Sequence, residues 1–288
     1  MTQRTQGGQA VTPALMEWIA AQKAAGFSLP AVLDAMRVAG WSDDTARLAL
    51  GLQAQVQETA AREPQGLPAE VRVPWPVGAG ELTVLQAGDR PVRTPVVMQS
   101  PPLIVFESLL SDEECAALIE AARPRLSRSL TVAVKTGGEE ENIDRTSQGM
   151  FFSRGESSVI QTVEERIARL LGWPIENGEG LQVLRYGPGA EYKPHYDYFD
   201  PAEPGTPTIL QRGGQRVATL VIYLNEPESG GCTVFPDAQV HVMPRRGNAV
   251  FFNYSRPHPA SRTLHGGSPV ILGEKWIATK WLREGAFV

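Results

Sequence analysis

Between Leu181 and Leu282 the chain carries short, nearly continuous apolar runs bounded by Gly, Pro and Asn: Leu181 to Arg185, Val217 to Leu224, Asn248 to Phe252 and Lys275 to Leu282. Runs of this length between turn residues read as strands. Two helices are expected ahead of them. Ser111-Asp-Glu-Glu114 forms a capping box that opens a helix carrying Cys115, Ala116, Leu118 and Ile119. Val159, Ile160, Val163, Ile167, Leu170 and Leu171 then recur at helical spacing over about Ser157 to Leu171. Strands separated by turns and preceded by helices predict an α+β protein whose body is a double-stranded β-helix, or jelly-roll, braced on one side by helices.

The chain before this body has a different texture. Thr12-Pro13 offers an N-cap followed by proline at the first helical position, and Leu15, Trp18, Ile19 and Gln22 follow at helical spacing. Ser28 can cap a second helix with Leu29, Val32, Leu33 and Met36 on its inner face. A third helix is expected from about Asp43 to about Ala61, carrying Ala46, Leu48, Ala49, Leu52 and Val56. Residues 1–65 therefore read as a small three-helix unit, suited to packing, dimerisation or partner binding. Pro64, Pro68, Pro74, Pro76, Pro91 and Pro95 preclude long helices, so 66–99 reads as a Pro-rich linker with short edge strands such as Glu81 to Leu85. The catalytic body is expected over 100–288. The acidic, glycine-containing stretch 134–144 is expected to be a mobile surface loop.

Composition narrows the function. Hydrophobic residues are 42% and charged residues 20%, which suits a globular protein rather than a disordered one. A net charge of −5 argues against nucleic acid as the main partner. No run approaches the ~20 apolar residues of a membrane span, and the polar N-terminus has no apolar signal region, so a soluble cytoplasmic protein is the expectation. Two cysteines, Cys115 and Cys232, are too few for a disulfide framework or a Cys-rich zinc site.

The chemistry centres on His195-Tyr196-Asp197. On an extended strand, residues two apart face the same way, so this imidazole and carboxylate can converge on one ion. An iron oxygenase site needs a second histidine from a distant strand and leaves the opposite face of the metal open. Of the remaining histidines, His241 alternates outward on an exposed strand, which leaves His258, between two prolines, and His265. The long connection from Asp200 to Gly214 leaves the H-x-D strand directly and reads as a lid.

From about Leu103 onward the chain resembles the prolyl 4-hydroxylase branch of the 2-oxoglutarate and Fe(II)-dependent dioxygenases. The matching pieces are Arg145-Thr-Ser, Leu181-Gln-Val-Leu-Arg-Tyr-Gly-Pro-Gly, Tyr192-Lys-Pro-His-Tyr-Asp-Tyr-Phe and Gly213-Gly-Gln-Arg-Val-Ala-Thr-Leu-Val-Ile-Tyr-Leu-Asn. Gly230-Gly-Cys-Thr-Val-Phe-Pro, Pro244-Arg-Arg-Gly-Asn-Ala-Val-Phe-Phe and His265-Gly-Gly-Ser-Pro-Val-Ile-Leu-Gly-Glu-Lys-Trp complete the set in the family's order.

The resemblance implies that His195, Asp197 and His265 hold Fe(II), and that Lys275 binds the far carboxylate of 2-oxoglutarate. It places Tyr186 and Thr219 as hydroxyl partners of the cosubstrate, Trp281 as an aromatic lining the site, and Tyr192 and Arg145 near the substrate. A physical reason stands beside the assignment of Lys275. Ile277, Thr279 and Trp281 share its strand face, so its ammonium points into an apolar interior and requires an anionic partner. The implied reaction consumes O2 and 2-oxoglutarate, releases succinate and CO2, and hydroxylates a C–H bond, with ascorbate as a possible reductant. The implied substrate is a prolyl residue of a protein or peptide. The alternatives are a hydroxylase of a free amino acid or other small molecule, and a non-catalytic scaffold acting through its N-terminal helices. Because Asp197 is retained, hydroxylation is favoured over halogenation, in which a small residue stands at that ligand position. Two positions depart from the family: Cys232 stands where Glu is common, and the usual Asp upstream of the second histidine is missing. Neither removes a ligand, and both bear on substrate choice.

Overall fold

The computed structural model describes residues 11–25, 27, 29–50, 67–128, 130–132, 139–141 and 146–288. The chain divides into two compact units, Met1–Leu67 and Pro68–Val288. In the first, helices Pro13–Ala24, Leu29–Val38 and Asp43–Leu50 enclose Leu15, Ile19, Val32, Leu33, Met36, Ala46, Ala49 and Leu50. Thr12 caps the first helix, its hydroxyl accepting from the Leu15 amide at 3.3 Å, and the Ser42 hydroxyl accepts from the Thr45 amide at 3.3 Å. Leu29, expected on the inner face of its helix, is exposed, as is Trp18, because each short helix buries only one narrow stripe. Ser28 and the expected continuation of the third helix through Leu52 and Val56 lie outside the described residues.

The second unit is built on a nine-stranded antiparallel sheet. Its strand order is Val84–Gln86, Pro91–Gln99, Pro102–Glu107, Ala249–Asn253, Arg216–Tyr223, Lys275–Arg283, Leu181–Tyr186, Gln148–Phe152, Ser127–Arg128. Facing it are a four-stranded sheet, Val240–Val242, Thr233–Phe235, His265–Gly267 and Tyr192–His195, and the pair Ser229–Gly230 with Val270–Leu272. Leu184, Val221, Val250, Phe252 and Ile277 of the large sheet meet Phe235, Val242 and Val270 in one core, which is the jelly-roll interior. The other face of the large sheet is covered by helices Asp112–Ala122 and Ser158–Leu171. Cys115, Leu118, Ile160, Val163 and Ile167 there pack with Ile104, Phe106, Leu220 and Ala278. The capping box is present: the Ser111 hydroxyl accepts from the Glu114 amide and the Glu114 carboxylate accepts from the Ser111 amide. Burial pushes the Cys115 thiol up to about 11, as befits a helix-core residue.

Three expectations change. Residues 68–99 belong to the second unit, and Pro91–Gln99 is a nine-residue strand next to the sheet edge. It tolerates its prolines because Pro91 is its first residue and Pro95 falls where the register shifts between Arg93 and Val96. Within 134–144, Glu139–Glu141 pairs antiparallel with Leu130–Val132; residues 134–138 and 142–144 lie outside the described residues. The connection after Asp200 contains a short helix, Thr206–Leu210. No helix among the described residues is long and apolar enough to cross a membrane.

Every residue of strand Lys275–Arg283 is buried, which is unusual for a segment carrying two lysines and an arginine. On its helix-facing side the Lys280 ammonium donates to Glu164 Oε1 at 2.5 Å, with both side chains 3% exposed. Glu164→Ala leaves that ammonium buried without its carboxylate and is expected to destabilise the second unit by about 3–5 kcal/mol in urea unfolding. A Glu164→Leu, Lys280→Met double variant is expected to recover most of the loss. A cost below about 1 kcal/mol for the single variant would mean that water already solvates the pair.

Candidate active site

The Tyr192–His195 strand runs antiparallel to His265–Gly267, and His195 and His265 are direct cross-strand partners. Gly266 makes this approach possible. A Cβ there would stand 2.8 Å from the Tyr192 carbonyl oxygen and 3.0 Å from the Pro194 nitrogen, both backbone atoms that cannot yield. Asp197, two residues beyond His195, completes the group, and one ligand atom from each of the three residues lies within 4.8 Å of the others. His195 Nε2 is 3.6 Å from Asp197 Oδ1, and His265 Nε2 is 3.4 Å from Asp197 Oδ2.

Both rings are oriented by the same local device. His195 Nδ1 lies 2.9 Å from the Lys193 carbonyl, and His265 Nδ1 lies 2.9 Å from the Thr263 carbonyl. A carbonyl only accepts, so each Nδ1 carries a proton, and Nε2 is the ring nitrogen left facing Asp197. Packing holds the rings in place. His195 stacks on Tyr192 with centroids 3.7 Å apart, and His265 lies 4.5 Å from Phe252 and 5.9 Å from Phe235.

The electrostatics favour the deprotonated donor set that a metal requires. Desolvation, helped by the neighbouring His265, pushes the His195 imidazolium down and keeps the ring neutral. Burial pushes the Asp197 carboxyl up, but the two imidazoles outweigh it and hold the group well below the usual carboxylate range. Thr219 Oγ1 donates to Asp197 Oδ2 at 2.7 Å and is 3.0 Å from the Tyr254 hydroxyl. Burial and the nearby Asp197 push that phenol well above its ordinary range, so it stays protonated and can donate to Thr219. The Thr219 hydroxyl, expected on the cosubstrate, is thus engaged with the carboxylate of the triad.

Lys275 stands opposite Tyr186 at the start of its strand and is 4% exposed. Its ammonium lies 5.7 Å and 5.9 Å from the ring centres of Tyr186 and Tyr223, and no carboxylate pairs with it among the described residues. Burial pulls the group down to about 8. Gly231, at φ +72°, makes room for the stem, since a Cβ there would meet Lys275 Cδ at 3.2 Å. A buried, unpaired cation is the feature expected of a site that takes an anion. One narrow cavity of about 50 Å³ is lined by His195, Asp197, His265, Lys275, Tyr186, Tyr192, Thr219 and Trp281 together. Two imidazoles and a carboxylate suit Fe(II), and the ammonium suits the far carboxylate of a dicarboxylic acid.

A chain with this geometry can be compared with known proteins. Residues 181–283 match the family model of the 2OG-Fe(II) oxygenase superfamily. Prolyl 4-hydroxylase 1 of Arabidopsis thaliana is 44% identical over 216 residues, which are 68% of this chain and 73% of that protein. The chain belongs to the prolyl 4-hydroxylase family of 2OG-Fe(II) oxygenases. Prolyl 4-hydroxylase 5 of the same plant is 39% identical over 214 residues, 67% of this chain and 72% of that protein. Among solved structures, the 2OG complex of the viral collagen prolyl hydroxylase of Paramecium Bursaria Chlorella virus-1 is 33% identical. It covers 63% of this chain and 94% of that one, with a TM-score of 0.49. As a member of the family, the chain is a dioxygenase that uses Fe(II), 2-oxoglutarate and O2.

Of the nine residues singled out in the sequence, eight share the cavity and Arg145 lies outside the described residues. His258 is remote in role: its Nδ1 accepts from the Ala260 amide at 3.0 Å and caps a short turn. His241 is exposed. Sequence reasoning missed Tyr254, although it continues the alternation of Val250 and Phe252, both of which pack in the same core. It also missed the buried set Glu179, Arg216 and Arg283, whose members are far apart in the chain. Arg216 Nε and Arg283 Nε both donate to Glu179 Oε1 at 2.6 Å, and Arg216 Nη1 reaches the Asp197 carbonyl at 3.5 Å. Thr219→Val removes the bond to Asp197 and is expected to weaken Fe(II) affinity about 10–100-fold in anaerobic calorimetry. Unchanged affinity would make that hydrogen bond incidental.

Proposed function

We propose that this chain hydroxylates a prolyl residue within a protein or peptide. The observation that carries the reading is a His–Asp–His set sharing one cavity with a buried ammonium that has no carboxylate partner among the described residues, in a chain 44% identical to a prolyl 4-hydroxylase. In this proposal His195, Asp197 and His265 hold the iron, and Thr219 and Tyr254 hold the Asp197 carboxylate in place. Lys275 pairs with the far carboxylate of 2-oxoglutarate, with Tyr186 beside it. Trp281 walls the cavity and Tyr192 braces His195, leaving its other edge toward the substrate side. When bound, iron with 2-oxoglutarate and O2 supplies the oxidising power, forming succinate and CO2 as one oxygen is delivered to the C–H bond. The protein's own work is to orient the donors, neutralise the cosubstrate's charge and keep water out of a narrow apolar cavity.

The decisive experiment supplies Fe(II), 2-oxoglutarate and ascorbate with proline-containing peptides and reads product masses. Addition of one oxygen to proline is expected with the wild-type chain and with His258→Ala, and is lost in His265→Ala. Oxygen added only to free amino acids would overturn the reading, and activity that survives His265→Ala but vanishes in His258→Ala would overturn the ligand assignment.

The charge state of Lys275 predicts a pH dependence. Its pKa lies below the ordinary lysine value, at about 8, so the ammonium is present below that pH and is lost as pH rises through it. Affinity for 2-oxoglutarate, titrated anaerobically with Mn(II) in place of iron, is expected to be level below about pH 8. It should then fall by up to about tenfold per pH unit above. In Lys275→Met the affinity should be low and the slope absent; a variant that keeps the wild-type slope would place the titrating group elsewhere.

A further inference from the structure

A second and wider cavity, of about 610 Å³, lies beside the narrow one. Trp281 stands between them. It lines the narrow cavity, and the guanidinium of Arg216, which lines the wide one, lies 4.0 Å from the centre of its ring. Phe151, on the wide cavity's wall, has its ring centre 6.4 Å from that of the same indole. Along strand Lys275–Arg283 the alternate residues Lys275, Ile277, Thr279 and Trp281 line the narrow cavity, and Arg283, next on that face, lines the wide one. The wide cavity is therefore the continuation of the active site by one strand step. It has the size of a typical ligand pocket, enough for several residues of an extended chain.

Its charge is one-sided. Four guanidiniums, from Arg154, Arg212, Arg216 and Arg283, face one side-chain carboxylate, Glu179. Arg216 and Arg283 share that carboxylate. Arg154 donates to the Glu176 and Gly178 carbonyls, and Arg212 Nε to the Val288 main-chain oxygen at 3.0 Å; neither pairs with a side-chain carboxylate among the described residues. The side chains thus leave an excess of positive charge in a protein whose net charge is −5. Arg212 is exposed, and with Thr208 and Ile209 it comes from the connection that leaves the His195–Asp197 segment, so that connection supplies one wall of the wide cavity.

We propose that this groove holds the stretch of substrate flanking the target proline and selects acidic side chains there, with Arg212 and Arg154 as the specificity-determining residues. The inference rests on the prolyl-peptide reading above and deepens it by naming the substrate class. An acidic flank would meet an excess of guanidinium charge, with Arg154 and Arg212 free of side-chain carboxylate partners among the described residues, whereas a basic flank would meet like charge in a partly desolvated groove.

The test uses the full chain and fluorescent proline peptides that differ only in carrying Glu, Gln or Lys at positions near the proline. Fluorescence anisotropy reads binding, and product mass reads hydroxylation. The wild type is expected to bind the Glu series about tenfold more tightly than the Lys series, with the preference shrinking as salt rises. Arg212→Glu should invert the order, and Arg154→Gln should reduce it. Peptide-independent turnover of 2-oxoglutarate should stay unchanged in both variants, since neither residue lines the narrow cavity. Equal binding of the three series, with oxygen still added to proline, would overturn the charge selection and leave the prolyl reading standing. A Glu preference with no oxygen added to any peptide would overturn the proposal through the function on which it rests. Displacement of the peptides' charge preference by inorganic phosphate in Arg212→Glu as well as in the wild type would also overturn it, because the anion site would then lie elsewhere.

Discussion

The second unit depends on how charge is matched along one buried strand. Lys275–Arg283 has helices behind it and the jelly-roll interior in front, and all nine of its residues are buried. An ion held in such a place must be paired, must lose its charge or must await a partner. Lys280 is paired with Glu164 on the helix side, and Arg283 with Glu179 on the interior side. Lys275 has no carboxylate among the described residues, and its cavity also holds the triad. The strand thus carries two matched ions and one cation left without a carboxylate among the described residues, in the cavity it shares with His195, Asp197 and His265.

Asp197 plays the corresponding part in the bend that follows the Tyr192–His195 strand of the facing sheet. Two imidazoles approach its oxygens, and Thr219 donates to one of them. Its carboxylate is stable in a buried place because four neighbours, with Tyr254 behind Thr219, share its charge. Burial pushes the His195 imidazolium down, so the packing that stabilises the fold also prepares that donor. Along the inner face, the unmatched ammonium, the triad, Trp281 and the arginine-lined groove follow in sequence.

Much of this was legible in the residues. Short apolar runs between Gly and Pro specified strands, the Ser111–Glu114 box opened its helix, and alternation put Lys275, Ile277, Thr279 and Trp281 on one face. The H-x-D pair was legible because its geometry is local. Other features were not. Pro91 and Pro95 read as linker because sequence does not tell an edge position or a bulge from a chain break. The hydrogen bond from Thr219 to Asp197 was hidden because it joins residues that are neighbours only across the barrel.

The sequence by itself determined the local elements and the type of chemistry, since each follows from backbone period or side-chain identity within a few residues; the strand expected to carry both His195 and Asp197 ends at His195, and Asp197 meets the imidazole from the bend that follows. Which histidine completes the set, which arginines remain without a carboxylate and which hydroxyl supports the ligand were decided only by tertiary structure. His265 joins because Gly266 lets two strands close to backbone contact, and His258 stays out because its ring caps its own turn. Pairing of buried charge is a property of the closed barrel, where residues as distant in the chain as Glu179 and Arg283 first meet.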